Sequence, residues 1–144
     1  MDRMYQKSTL ETCNTELQSL EEEVGVANLG NNIVNTGCAI RHTEGSNQFK
    51  IVKPGLYQIS VDAVGKNTPA TLAPVTLQLY KDDKPMVSAF DTKDVEVDKI
   101  TSFHFTTLTI VNTCPFNPAA TFKLVNADGP FDYTMVSVTV IKLA

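Results

Sequence analysis

The chain has 144 residues, a net charge of −4 and an isoelectric point near 5.1. That length suits one domain with its own hydrophobic core. The acidic balance argues against nucleic-acid binding, because phosphate backbones are bound by clusters of Lys and Arg. No apolar run reaches the roughly 20 residues that a membrane-spanning helix needs, so we expect neither a nucleic-acid nor a membrane partner.

The amino-terminal residues and the cysteines indicate a protein made in the cytosol. Residues 1–18 are polar and lack the apolar core of a secretory signal. Cys13, Cys38 and Cys114 include no Cys-x-x-Cys pair, which favours free thiols over a disulfide framework. Because no second Cys or His stands at metal-ligand spacing, we expect no metal site and no cofactor.

Residues 8–23 are predicted to form the chain's one helix. Ser8 followed three residues later by Glu11 matches a capping box. Apolar residues at positions 10, 13, 17, 20 and 24 have the spacing of an a/d seam about two heptads long, which is too short to be stable alone. The helix either folds back on its own domain or serves as a stalk or anchor. We assign residues 1–24 to this amino-terminal element and residues 25–144 to the one main domain.

From residue 25 onward the pattern is that of strands separated by turns. Lys53-Pro54-Gly55 predicts a turn, and residues 56–64 after it alternate strictly between apolar and polar. The chain ends in a strand that is apolar on both faces, which must therefore be covered on both faces. The pattern predicts an all-β antiparallel jelly-roll sandwich with a short amino-terminal α-helix. The main predicted strands are residues 49–52, 56–64, 75–80, 85–90, 100–111, 121–125 and 133–143.

Residues 37–144 resemble the tumour necrosis factor superfamily, which includes the globular heads of complement. The resemblance rests on residues 49–52 leading into Gly55-Leu56-Tyr57, on the long strand at 100–111, and on the closing Val-Ser-Val-Thr-Val-Ile-Lys-Leu. That ending looks most like bacterial and phage-borne members. The resemblance implies a ten-stranded jelly roll that trimerises about a three-fold axis.

The resemblance also implies which side chains are in the core and which contact partner subunits. The implied core residues are Tyr57, Ile59, Val61, Val136, Val138 and Val140. The implied subunit contacts are Phe103, Phe105, Tyr133, Met135, Ile141 and Leu143, and the predicted helix would add Leu10, Leu17 and Leu20. Gln58, Ser60 and Asp62 occupy a face that the family usually makes apolar, so they would face the axis. Three copies of Asp62 would then repel one another, and the repulsion would need water, a cation or raised pKa values.

No catalytic constellation is visible, so we expect that the protein is not an enzyme. The two histidines, His42 and His104, are predicted to have structural roles. Nothing in the spacing suggests a Ser/His/Asp triad, and there is no glycine-rich phosphate loop. The family's usual turn after the long strand is replaced by residues 112–118, so receptor or calcium sites near it do not transfer.

These observations favour a non-enzymatic homotrimeric structural protein of a phage virion, made in the host cytoplasm. It would be a head decoration, fibre or baseplate component, attached to other virion proteins through the predicted helix. Its head could also bind a receptor or a host-surface glycan. The alternative is an adhesive or binding protein of a bacterial cell or spore surface.

Overall fold

The computed structural model describes residues 7–20, 25–67, 74–96 and 98–144. Within these ranges the chain forms twelve strands and no helix. The strands are β1 (Thr9–Asn14), β2 (Gln18–Leu20), β3 (Gly25–Val26), β4 (Asn31–Thr36), β5 (Ile40–Arg41), β6 (Phe49–Ile51), β7 (Gly55–Lys66), β8 (Pro74–Lys81), β9 (Lys84–Asp94), β10 (Ile100–Val111), β11 (Ala120–Asp128) and β12 (Phe131–Lys142).

The strands form two sheets whose neighbouring strands are antiparallel. The first sheet has the order β10-β7-β12-β1-β4, and β2 pairs with the start of β12. The second has the order β5-β6-β11-β8-β9, and β3 pairs with β11. Strands that are distant in the chain are neighbours in each sheet, as in a jelly roll. The predicted antiparallel sandwich is confirmed.

The core lies between the two sheets and is filled from alternate positions of each strand. Phe49 of β6 stacks on Phe122 of β11 with 5.0 Å between the ring centroids. Phe103 packs edge-on against Phe131, with 5.3 Å between their centroids. All six predicted core residues are buried: Tyr57, Ile59, Val61, Val136, Val138 and Val140.

The predicted helix over residues 8–23 is wrong. Its first part is β1, which pairs with β12 on one side and β4 on the other; residues 21–24 lie outside the described part of the chain. In β1 the residues alternate between half-buried and buried, because a strand places every second side chain in the core. Two heptads of helix cannot compete with hydrogen bonds to two neighbouring strands. The stretch before residue 25 therefore contributes two strands to the first sheet.

A bulge in β12 changes which of its side chains face the core. The register between β12 and β7 shifts between Tyr133 and Met135, so that Thr134 is an extra residue. Tyr133 is buried before the bulge, and Val136 is the first core residue after it. Strict alternation put these two residues on opposite faces, whereas the bulge places both in the core.

Candidate assembly surface

The outward side of the first sheet is the surface that the sequence analysis assigned to subunit contacts. The strand register aligns its side chains in rows that cross β10, β7 and β12. We call this surface the sheet face and define it by its outward residues: Leu108 and Ile110, Leu56 and Gln58, and Ile141 and Leu143 at one end; Ser60, Asp62, His104, Thr106, Ser137 and Thr139 at the centre; and Val64 and Met135 beyond them.

One end of the sheet face is apolar and open to solvent. Leu108 is 57% exposed and Ile110 is 64% exposed. Ile110 lies opposite Leu56 in the sheet, and Gln58 separates Leu108 from Ile141. Exposed apolar groups gain free energy when they are buried, so this end of the sheet face is a candidate contact surface.

The centre of the sheet face is polar and internally hydrogen-bonded. Ser60 Oγ lies 3.1 Å from Thr106 Oγ1. Asp62 Oδ1 lies 2.7 Å from His104 Nδ1, and both side chains are exposed. The side chains of Ser60 and Asp62 thus point away from the core, as predicted from the alternation of β7. His104 also gives Asp62 a partner within its own chain, which the sequence analysis did not foresee.

Four residues that were predicted to contact other subunits instead lie in the core of the chain itself. They are Leu10, Phe103, Phe105 and Tyr133. On β10 the odd-numbered residues face inward, so the two phenylalanines fill the core and the outward side carries Leu108 and Ile110. On β12 the bulge turns Tyr133 inward. The alternation of residues along β10 puts Phe103 and Phe105 on the face opposite Leu108 and Ile110. The apolar Leu108 and Ile110 were therefore the sequence signal for an exposed surface, and the sequence analysis missed it.

The other predicted contact residues are at the surface. Met135 and Ile141 are half-buried, and Leu143 is exposed, all three on the sheet face. Leu17 is 66% exposed in the turn before β2, and Leu20 packs against the core. The structure therefore does not bring the three leucines of the predicted helix onto one surface.

Two further exposed apolar side chains lie beside β10, on the neighbouring edge strand β9. The two strands belong to different sheets but run close together, since Ser88 Oγ is 3.0 Å from Thr107 Oγ1. Val87 is 89% exposed and Phe90 is 49% exposed. We call these two side chains the β9 flank. The sequence analysis predicted the strand without recognising its exposed apolar residues as a surface.

Side chains from the second sheet cap the open edge of β10. Asp91 Oδ2 accepts a hydrogen bond of 2.9 Å from the His104 amide, and Lys81 Nζ donates one of 2.9 Å to the Ile110 carbonyl oxygen. An uncapped edge strand invites pairing with a strand of another chain. The hydrogen bonds from Asp91 and Lys81 occupy backbone groups that a strand of another chain would need. Any contact between chains at this edge would therefore be made by side chains.

The remaining polar residues considered in the sequence analysis have ordinary structural surroundings. His42 is buried, and its ring nitrogens lie 2.5 Å from Asn32 Oδ1 and 3.1 Å from the Ser46 carbonyl oxygen. All three cysteines are free thiols, as predicted. In the residues that the structure describes, no three His, Cys, Asp or Glu side chains are grouped to hold a metal ion, and no helix is long and apolar enough to cross a membrane.

No protein-family model matches the chain, and neither does any curated protein. Solved structures do match it. The Eiger tumour necrosis factor of S. frugiperda is 10% identical, with a TM-score of 0.73 over 96% of this chain and 94% of that one. The globular domain of zebrafish complement 1qA is 11% identical, with a TM-score of 0.65 over 95% and 97% of the two chains. PRD1 vertex protein P5 is 16% identical, with a TM-score of 0.65 over 96% and 99%. The resemblance is thus confirmed as a shared fold: the chain is a jelly roll of the tumour necrosis factor and C1q type.

Proposed function

We propose that the protein is a non-enzymatic structural component of a phage virion that assembles as a homotrimer. The observation that carries the proposal is the pair of uncovered apolar surfaces, the sheet face and the β9 flank. A single chain leaves both in water, although their apolar groups gain free energy when they are buried. A second and third copy of the same chain can cover them.

The two surfaces differ in composition, which favours a ring over a two-fold dimer. A two-fold dimer centred on the sheet face would bring the Asp62 and His104 pairs of both subunits together, because a two-fold interface uses the same patch on each subunit. In a ring, the β9 flank of one subunit packs on the sheet face of the next, and every subunit uses both surfaces once. A stable contact buries about 800 Å² per partner, and the whole chain exposes 7754 Å², so there is ample surface for two such contacts. The resemblance to the tumour necrosis factor superfamily implies that the ring has three members.

The assignment to a virion is supported by the match to the PRD1 vertex protein, which has the same fold over nearly the full length of both chains. It is also supported by the bacterial and phage character of the carboxyl-terminal strand. In this proposal the partners are other virion proteins, and the protein serves as a decoration, fibre or baseplate component. A receptor or host glycan would be bound by surfaces that the ring leaves exposed.

The test is incorporation into particles. In a phage that encodes this chain, genes for capsid or tail proteins should lie beside its gene, and antibodies should label the purified particles. Ile141→Glu, which places a carboxylate on the apolar end of the sheet face, should remove the label, whereas the matched control Leu17→Glu should retain it. Unlabelled particles of the unaltered phage, or a gene within a sporulation or secretion cluster, would contradict the proposal.

A further inference from the structure

The buried ring of His42 lies between β4 and the turn of residues 42–48, which connects β5 to β6. We call this segment the His42 turn. The ring's Nδ1 lies 2.5 Å from Asn32 Oδ1 of β4, and its Nε2 lies 3.1 Å from the Ser46 carbonyl oxygen of the turn. His42 is only 7% exposed, so water cannot readily replace either contact. Each ring nitrogen is therefore held against a protein oxygen atom.

Neither of these oxygen atoms can donate a hydrogen bond to the ring. A main-chain carbonyl oxygen, such as that of Ser46, only accepts. The orientation of the Asn32 amide follows from its other contact, because Asn32 Nδ2 donates a 2.9 Å hydrogen bond to the His42 carbonyl oxygen. Rotating this amide would place Oδ1 against that carbonyl oxygen and lose the bond. Oδ1 is therefore the atom that faces the ring, and it too only accepts.

Two acceptors beside one imidazole require a proton on each ring nitrogen. A neutral histidine carries one N–H donor and one bare nitrogen, whereas the charged ring donates from both nitrogens. In the neutral ring, the bare nitrogen would face an oxygen atom with no proton between them. Such an unsatisfied contact is costly in a buried place. The two contacts of His42 are thus those of the doubly protonated ring.

Neither partner of the ring is charged, although titratable side chains stand on the segments around it. They are Glu11, Cys13, Cys38, Arg41, Glu44 and Lys50. Glu44 Oε2 accepts a 3.0 Å hydrogen bond from the Asn32 amide. The side chains of Arg41, Glu44 and Lys50 are exposed, so solvent screens their charges. The hydrogen bonds of the ring therefore distinguish its two forms more directly than the neighbouring charges do.

Further hydrogen bonds fasten the His42 turn to the segment that leads into β4. The Leu29 amide donates to the Ser46 carbonyl oxygen over 3.1 Å, and the Gly45 amide donates to the Gly30 carbonyl oxygen over 2.9 Å. Asn28 Nδ2 donates to the Gly45 carbonyl oxygen over 2.6 Å. A recess of about 290 Å³ lies at this junction, bordered by Asn28 and Gly30 on one side and by Gly45 on the other. Movement of the turn would therefore change the shape of the recess.

We propose that the His42 turn is a proton-dependent latch. The latch is closed on the segment before β4 when both ring nitrogens carry a proton. It loosens when one proton is lost, because one of the two oxygen atoms then has no donor. Histidine is the side chain that changes charge between mildly acidic and neutral solution, so the latch is closed in mild acid and loosens as the pH rises. It does not depend on the proposed trimer, because all of its groups belong to one chain.

The test is amide hydrogen exchange of the full chain at pH 5.5 and pH 7.5, corrected for the intrinsic exchange rate at each pH. We expect the protection of the Leu29 and Gly45 amides to fall about ten-fold at the higher pH, which corresponds to about 1.4 kcal/mol. The Asn117 amide, which bonds to the Cys114 carbonyl oxygen in a turn without histidine, is the internal control and should not change. Unchanged protection at Leu29 and Gly45, or an equal fall at Asn117, would overturn the proposal.

Variants assign the pH dependence to one ring, because the chain has only two histidines. His42→Gln removes the buried ring and should abolish the pH dependence at the Leu29 and Gly45 amides. His104→Gln removes the exposed ring on the sheet face and should leave that dependence unchanged. A dependence that persists in His42→Gln, or that disappears in His104→Gln, would overturn the proposal. Because His104 is exposed, His104→Gln should retain the fold and is decisive by itself where His42→Gln does not fold.

Discussion

At the scale of single residues, Gly65 of β7 lies directly against the aromatic rings of β12. A Cβ at Gly65 would lie 2.5 Å from Phe131 Cε2 and would collide with the Asp132 carbonyl oxygen. Phe131 cannot yield easily, because its ring packs against Tyr133 with 4.8 Å between the centroids. The glycine is thus required by its neighbours, whatever its own backbone angles.

We predict that Gly65→Ala lowers the free energy of unfolding by about 1–3 kcal/mol, the usual cost of overpacking a core. Urea denaturation monitored by circular dichroism would measure it. Leu17→Ala, at an exposed site outside both proposed contact surfaces, serves as the control and should change the free energy by no more than about 0.5 kcal/mol. Equal stability of Gly65→Ala and the parent chain would mean that β7 and β12 are farther apart than described.

A second prediction at this scale concerns Tyr133. Its phenol is buried and donates a 2.7 Å hydrogen bond to Asn126 Oδ1, and burial raises its pKa far above the ordinary value of 10.0. Above pH 10 the unfolded chain therefore loses this proton while the folded chain keeps it. Stability should be complete below pH 10 and fall as the pH rises further, by about 1.4 kcal/mol per pH unit for one retained proton.

Tyr133→Phe should be less stable at neutral pH by about 1 kcal/mol through loss of the hydrogen bond. It should also show a shallower loss of stability above pH 10; the slope that remains includes Tyr57, whose pKa burial also raises. The urea-denaturation midpoints of the parent chain and of Tyr133→Phe, measured across this pH range, would test both expectations. Parallel curves for the two proteins would show that Tyr133 is accessible to solvent.

At the scale of elements, the largest difference between the sequence prediction and the structure is in the amino-terminal segment. The spacing of Leu10, Leu17 and Leu20 fits a helix seam, and Ser8 with Glu11 fits a helix cap. Both signals are local, whereas β1 owes its conformation to β12, which lies more than 120 residues away in the chain. A pattern within one segment cannot report a partner so distant in sequence, so the helix was predicted where tertiary pairing produces a strand.

The two conformations predict different results for leucine truncation. In the strand, Leu10 is fully buried and Leu17 is 66% exposed. Leu10→Ala should therefore cost about 2–5 kcal/mol of unfolding free energy, and Leu17→Ala no more than about 0.5 kcal/mol. Denaturation of the two variants measures this difference directly. Similar losses of unfolding free energy at both positions would favour the helix over the strand.

Other elements could be read from sequence because their signals are repeated along one strand. The alternation of β7 correctly separates Ile59 and Val61, which are buried, from Ser60 and Asp62. The same reasoning fails at Tyr133, where one extra residue reverses the alternation and no local signal announces it. The β9 flank was missed because it becomes a surface only when β9 and β10, from different sheets, lie side by side.

At the scale of the whole molecule, the ring arrangement predicts an unusual result for mixed variants. Ile141→Glu disables the sheet face, and Val87→Glu disables the β9 flank. Each variant alone should be a monomer, because every contact in the ring needs one intact copy of each surface. An equimolar mixture should form a 1:1 dimer, since one intact face and one intact flank remain. Native mass spectrometry would detect it, and a mixture that stays monomeric would contradict the head-to-tail contact.

The most direct measurement of the central claim is the molar mass of the unaltered chain in solution. The central claim is that copies of the chain cover one another's apolar surfaces. Size-exclusion chromatography with light scattering at micromolar concentration should give three times the chain mass of 15.8 kDa. A mass of 15.8 kDa under the same conditions would show that the sheet face and the β9 flank remain in water, and it would contradict the account.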